Sequence, residues 1–304
     1  MKIVIAGGSG FLGRPLAAAL ARDGDEIVVL TRGGGAARGH AQLRSIAWTP
    51  NGETGPWAAA IDGAAAVVNL AGEPIAGRRW SEAQKQRILE SRVQATRSLV
   101  AAVHAAATPP PIFVSGSAVG YYGPLGDEVA IEERPPGSDF LARVCVQWEA
   151  AATGAASART RLVCIRTGLV LEKDGGALPQ MLPPFKFGAG GPVGSGRQYW
   201  PWIHRDDWIA LVRWAIQTPA ATAAVNATAP NPVTNADFAR ALGRAMRRPA
   251  FMPAPAFALR LMLGEMADAL LLSGQRAVPA KAERLGFTFR YPQLDQALGA
   301  IFGR

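Results

Sequence analysis

Near the start of the chain, Gly7-Gly8-Ser9-Gly10-Phe11-Leu12-Gly13 carries glycine at a G-x-x-G-x-x-G spacing, between a short β-branched run at 2–6 and a run of helical apolar spacing at 11–22. Glycines there let a pyrophosphate approach backbone N–H groups at the N-terminus of a helix, where the dipole favours an anion. The motif alone is weak. Its position directly after a strand and at the opening of a helix makes it a dinucleotide loop, with Gly7, Gly10, Phe11, Leu12 and Gly13 as the contacting residues. A second chemical signal closes the next strand-like run, at 26–30, where the sequence reads Leu30-Thr31-Arg32. A site for an unmodified ribose places Asp or Glu there. This chain has a hydroxyl and a guanidinium instead, groups suited to a 2′-phosphate. The expected cofactor is NADP(H) in preference to NAD(H); the alternative reading of Arg32 is a solvated surface arginine.

These residues need a scaffold, and the hydrophobic pattern supplies one. Strand-like runs at 2–6, 26–30, 44–48, 66–70, 112–115 and 161–166 alternate with helical patterns at 11–22, 81–107 and 139–153. Alternation of this kind predicts an α/β Rossmann-type, doubly wound parallel sheet, completed by the strand at 161–166. Residues 172–204 are rich in glycine, proline and aromatics, as in loops lying over a site. Helices follow at 206–217, 235–246 with Asn235 as N-cap, 257–272 and 291–302, and Pro279 opens a short one ending at Gly286. The expected division is a dinucleotide-binding domain over 1–170 and a smaller, mainly helical C-terminal lobe over 171–304, with some strands free to return to the main domain.

Composition narrows the function class. In 304 residues, 49% are hydrophobic and 18% charged, a globular balance with ample core. The net charge of +9 is spread over scattered arginines without a basic run, which argues against nucleic acid and is compatible with an anionic small-molecule substrate. The most apolar stretch, 257–272, is interrupted by Arg260, Glu265 and Asp268, so no membrane partner is expected. Cys145 and Cys164 read as buried hydrophobes in a reducing, cytoplasmic setting, and the protein as a monomer or homodimer. Three scattered histidines, His40, His104 and His204, and no Cys-x-x-Cys pair give no metal centre, and Ser115-Gly116-Ser117-Ala118 is not a hydrolase elbow.

Taken in order, GGSGFLG at 7–13, NLAG at 69–72, VSGSAVGYYG at 114–123 and PWIHRDD at 201–207 resemble extended short-chain dehydrogenases/reductases. FLARVCVQWE at 140–149, GGPVGSGRQYWPWIH at 190–204 and the helical C-terminal region narrow the resemblance to the atypical NAD-dependent epimerase/dehydratase-like group, whose C-terminal domain has no assigned function. The resemblance implies that Leu70, Ala71 and Gly72 line the adenosine and ribose side of the cofactor. Arg92 falls where extended members often carry Asn, to contact phosphate or ribose or to stand as an exposed helix arginine. Thr167 approaches the nicotinamide end or caps a turn.

Ordinary family chemistry uses Ser or Thr with Tyr and Lys four residues apart, the tyrosine exchanging a proton as hydride moves. Ser117 matches the serine. The tyrosine and lysine positions align with Leu141 and Cys145, and neither can do the work; Arg143 cannot accept a proton. Tyr121 is the substitute donor, with Ser117 the polar group at the reacting carbon, whereas Tyr122 reads as packing. On the substrate side stand Arg197 as an anion clamp or loop arginine, Tyr199, Trp202 as a stacking or core ring, and His204 as a proton donor or turn anchor. The implied function is an NADP(H)-binding oxidoreductase or epimerase acting on a small polar, nucleotide-sugar-like substrate; the alternative is a non-catalytic NADP(H) sensor or scaffold.

Overall fold

The computed structural model describes residues 1–33 and 42–303. Its first half runs β1 (Lys2–Ala6), α1 (Gly13–Arg22), β2 (Glu26–Thr31), β3 (Leu43–Ala47), β4 (Ala66–Asn69), α2 (Glu82–Ala105), β5 (Ile112–Ala118), β6 (Val129–Ala130), α3 (Phe140–Thr153) and β7 (Arg161–Thr167). The second half continues with β8 (Leu169–Leu171), α4 (Leu178–Lys186), β9 (Tyr199–Trp200), β10 (Trp202–His204), α5 (Arg205–Gln217), β11 (Ala223–Ala227), β12 (Val233–Thr234) and α6 (Asn235–Met246). It ends with α7 (Ala256–Leu263), α8 (Glu265–Ala267), β13 (Arg276–Ala277), α9 (Ala280–Arg284) and α10 (Leu294–Phe302).

Seven strands form one parallel sheet in the order β11-β7-β5-β4-β1-β2-β3. Strands covered on both faces must be apolar on both, which is why β1, β2 and β4 read as unbroken runs. Ile3, Ile5 and Val29 pack toward α1 and α5, while Val4, Val28, Val67 and Phe113 pack toward α2 and α3. Each such fully buried side chain contributes about 1.5–3 kcal/mol. Register then sets the site: Ala6 pairs with Leu30 and Asn69, so β1, β2 and β4 end together, and Ser117 on β5 pairs with Arg166 on β7.

The strand at 161–167 does not complete the sheet. β11 adds outside it, and α5 covers the adjoining face through Trp208, Leu211 and Val212. The Ala-Ala-Val-Asn-Ala sequence of β11 has only one β-branched residue, and it pairs because its neighbour leaves an edge open. The long helix expected at 257–272 is broken at Gly264, whose φ of +63° ends α7. Asn235 is not the cap of α6. The Thr234 hydroxyl accepts from the Asp237 N–H, and Asn235 Oδ1 accepts the Val193 N–H at 2.6 Å.

A third core lies in the C-terminal lobe, where α4, α6 and α10 enclose Leu182, Phe185, Trp200, Trp202, Phe238, Leu242 and Leu298. The lobe is tied back to α5 by Asp207, whose carboxylate accepts the N–H groups of Arg290 and Tyr291 at 2.8 and 2.9 Å. Phe238 is 1% exposed and meets Trp200 edge-on with ring centroids 5.2 Å apart. Phe238→Ala is expected to lower the unfolding free energy by about 3–5 kcal/mol in urea denaturation, the usual cost of deleting a buried ring; a loss below about 1 kcal/mol would mean that this core is not structural.

Candidate functional site

The glycine loop is shaped by its own backbone. Gly7 adopts φ +78°, and a Cβ there would stand 2.7 Å from the Leu70 carbonyl group, so glycine is what lets the loop run against the exit of β4. At Gly13 a Cβ would lie 2.2 Å from Gly7 O, so a side chain here would prevent closure of the loop on the helix. Gly10 is the exposed one; its Cβ would meet only Gly7 O, at 3.3 Å. Inside the loop Gly10 N–H donates to Gly7 O and Arg14 N–H to Gly10 O, both at 3.0 Å. No side chain caps α1, and the N–H groups of Phe11, Leu12 and Gly13 have no acceptor among the described residues. Three orphan donors at a helix N-terminus fit the pyrophosphate of a dinucleotide. The Phe11 ring packs against a later segment of the chain, where Gly175 and Gly176 lie on it and the Arg205 guanidinium sits 5.6 Å above it.

The exit of β4 is held from below. Asn69, fully buried, donates to Thr96 Oγ1 at 2.8 Å and accepts the Ala71 N–H at 3.2 Å, fixing Leu70-Ala71-Gly72 beside the loop. At the end of β2 the Thr31 hydroxyl accepts from the Gly33 N–H at 3.4 Å, and Arg32 is exposed with no carboxylate partner among the described residues.

Two strands along, the ends of β5 and β7 carry a polar centre. Ser117 Oγ donates to Glu149 Oε1 at 2.6 Å, and the Glu149 carboxylate is gripped by Arg166 Nε and Nη2 at 2.8 and 2.9 Å. Arg166 Nη1 donates onward to Tyr122 Oη and to Glu132 O, each at 3.0 Å. Tyr122 Oη donates to Asn226 Oδ1 at 2.7 Å, and the Tyr121 ring lies against the Arg166 guanidinium, 3.4 Å from centroid to Cζ. Burial pushes the Tyr122 hydroxyl up to about 12, so it stays protonated and packs, as the sequence implied.

The model of the NAD dependent epimerase/dehydratase family matches residues 3–227, and residues 254–301 match a domain of unknown function. The chain belongs to the NAD dependent epimerase/dehydratase family. The Arabidopsis thaliana chloroplastic "Epimerase family protein SDR39U1 homolog" is 41% identical over 99% of this chain and 86% of that one. The crystal structure of human epimerase family protein SDR39U1 (isoform 2) with NADPH has a TM-score of 0.90 and 34% identity over the whole of both chains. A nucleoside-diphosphate sugar epimerase structure from Corynebacterium glutamicum has a TM-score of 0.80 and 34% identity, over 100% of this chain and 58% of that one.

Within this family fold the expected residues divide. The loop glycines, Leu70, Ala71 and Gly72 come together, Arg92 lies beneath Gly72, and Ser117 and Tyr121 meet through the Glu149–Arg166 pair. Five others need correction or refinement. Thr167 points to the opposite face from Arg166 and its hydroxyl accepts the Trp208 indole N–H at 3.1 Å, because successive strand residues alternate. Trp202 is fully buried and donates to Asn231 O, which makes it core. His204 is a helix cap: Nδ1 accepts the Asp206 N–H at 3.1 Å, the ring lies 4.1 Å from Tyr291, and burial lowers its pKa, keeping it neutral. Tyr199 packs against Arg276 at 5.2 Å, while Arg197 is exposed on its loop; neither touches Ser117. His40 lies outside the described residues.

Sequence reasoning passed over Glu149 and Arg166. A signal for the first existed, since Leu141, Cys145 and Glu149 are spaced four apart and share one face of α3, so a carboxylate stands one turn beyond the missing lysine. Removing one partner of a buried pair strands the other's charge. Arg166→Met is therefore expected to cost about 3–5 kcal/mol of stability, with much of it recovered in Arg166→Met/Glu149→Met. Urea denaturation of the four-member cycle checks this, and strictly additive effects would count against the pair.

Proposed function

We propose that the chain is an NADP(H)-dependent oxidoreductase or epimerase acting on a small polar, nucleotide-sugar-like substrate, without the usual tyrosine and lysine. The observation that carries this reading is a serine hydroxyl held by a buried ion pair at the same end of the parallel sheet as three orphan N–H donors. NADPH in the human relative and the word sugar in the name of the bacterial one support the cofactor and the substrate class. When bound, a nicotinamide gives or takes a hydride at the substrate carbon.

The residues of the chain must then handle the proton. With its own hydrogen directed to Glu149, Ser117 Oγ presents lone pairs, so it accepts a substrate hydroxyl proton while passing its own to the carboxylate; the reverse path serves carbonyl reduction. Arg166 holds the carboxylate in line and Tyr121 against itself, leaving the Tyr121 hydroxyl as a second donor. Cys145 takes no part as a base, because burial pushes its thiol up to about 12. No helix among the described residues is long and apolar enough to cross a membrane, and both cysteines are free and buried. The reading places it in the cytoplasm as a monomer or homodimer working on a diffusible small molecule, and the scattered arginines without a basic run argue against nucleic acid as a partner.

Arg32→Asp is expected to weaken NADPH by about 2 kcal/mol or more through loss of a charge-assisted pair with the 2′-phosphate, and NADH much less. Isothermal titration with both cofactors measures it, and equal losses refute the 2′-phosphate assignment. Turnover is sought with NADPH against a panel of carbonyls and nucleotide sugars. Ser117→Ala should lower it by about 10²-fold or more with cofactor affinity preserved. The second reading, a non-catalytic NADP(H) sensor or scaffold, is favoured by Leu141 and Cys145 at the tyrosine and lysine places. It prevails if wild type binds NADPH tightly and turns over nothing.

A further inference from the structure

One side of the C-terminal lobe exposes large apolar side chains. Phe187, Phe251, Phe257, Leu261 and Met262 are between 69% and 87% exposed, and no other large apolar side chain among the described residues stands so far out. At roughly 150 Å² for each such side chain, they exceed the few hundred square ångströms of apolar patch that a soluble monomer ordinarily presents. α7 buries none of its residues, and Phe257 and Leu261 lie four apart on one face of it. A solvated helix face is ordinarily polar, and this one is apolar. Backbone fixes the presentation. Met252 N–H donates to Gly190 O at 3.0 Å, Ala254 N–H to Pro192 O at 2.8 Å and Gly194 N–H to Ala254 O at 2.9 Å, so the segment before α7 is laced to the one after α4. A Cβ at Gly191 would stand 2.0 Å from Met252 O, and glycine is what lets the two run this close.

A cationic groove adjoins this surface at Phe251. On α6 a Cβ at Gly243 would meet Ala250 Cβ at 2.7 Å and Arg248 O at 2.8 Å, so glycine lets residues 248–250 fold back over the helix. Arg240, Arg244, Arg247 and Arg248 then line one groove with Phe251. Asp237 and Asp295 neutralise the first two, whereas Arg247, Arg248 and the exposed Lys186 beside Phe187 have no side-chain partner among the described residues. Arg247 closes α6 at φ +53°, in the left-handed region where glycine is the least strained residue. The helix dipole favours a cation at this end, but Arg244 already supplies one in the last turn. An exposed arginine kept in a strained conformation, with its charge uncompensated, points to an anionic partner.

We propose that this face is a docking surface for an anionic lipid bilayer. α7 lies flat in the interface, with its apolar side chains at the boundary of headgroups and acyl chains and the three uncompensated cations over acidic headgroups. Arg260, Glu265 and Asp268 bar the stretch at 257–272 from crossing, and no described helix is long and apolar enough to cross. The sequence expectation of no membrane partner addresses crossing, and lying on a surface is a different requirement. Two observations favour a bilayer over a protein. Phe187, Phe257, Leu261 and Met262 stand out from the surface, which suits insertion among lipid chains, whereas a partner helix is received in a groove. A second copy seated on the same face would bring two sets of Arg247, Arg248 and Lys186 together, like charge against like.

Flotation of the full chain with vesicles tests this, using phosphatidylcholine alone or mixed with an equal part of phosphatidylglycerol. Wild type is expected to bind the mixed vesicles and not the neutral ones, and to bind more weakly as salt rises. Arg247→Gln/Arg248→Gln should weaken binding by about 10- to 30-fold, and Phe257→Ser/Leu261→Ser by about 10-fold or more. All four side chains are exposed, so both variants should melt as wild type does. Arg247→Gly separates docking from folding: relief of the left-handed strain should raise the melting temperature while vesicle binding falls about fivefold. Wild type binding the mixed vesicles no better than the neutral ones overturns the proposal, as does undiminished binding in Phe257→Ser/Leu261→Ser. A concentration-dependent dimer in sedimentation velocity, abolished by that same double variant, gives the face to a second copy and also overturns it.

Discussion

The Arg166–Glu149 pair is the interaction on which the polar half of the molecule depends. One guanidinium on β7 gathers a carboxylate from α3, a phenol from the turn after β5 and a carbonyl from the loop after β6. Five donors in a rigid fork permit this, and a lysine in the same place would satisfy fewer partners. Through Glu149 the pair orients Ser117, and through Tyr122 it reaches Asn226 on β11. Buried ions of this kind add little net stability against an apolar replacement, yet they tolerate only one arrangement, because each displaced partner leaves a charge in a poor solvent.

The same logic docks the C-terminal segment. Glu132, 5% exposed, accepts N–H groups from Asn226 and Lys281, while the Lys281 ammonium donates to Thr222 O and Ala224 O. Burial raises the Glu132 pKa and lowers that of Lys281, so both charged forms are held by local hydrogen bonds against a desolvation cost. Together with β13 pairing on β6 and Asp207 holding residues 290 and 291, this fixes the region of unassigned function on the dinucleotide-binding half. The seventh strand, drawn from beyond residue 171, means that the two halves share one sheet and are not separable layers.

The glycine loop and the Ser117–Glu149–Arg166 cluster follow different constraints. At the glycine loop, backbone sets the arrangement, so glycine at 7, 13 and 72 matters through the close approach of neighbouring backbone and side chains that it permits. On the other side, charge sets the arrangement: Glu149 and Arg166 stand where side chains of neighbouring strands and helix converge, and the pair holds Ser117 and Tyr121.

The sequence by itself determined the parallel α/β architecture and the dinucleotide loop, because each rests on short-range pattern: strand, glycine turn and helix within 22 residues. It also exposed the missing tyrosine and lysine, since those lie four apart on one helix. What only the tertiary structure decided depends on partners far apart in the chain. Ser117 finds Glu149 at a separation of 32 residues, and Tyr122 finds Asn226 at 104. The fates of Thr167, Trp202 and His204 were set by which face of a strand or which helix end they met. Such contacts leave no periodic trace in the sequence, because they are fixed by sheet register and burial and not by local conformational preference.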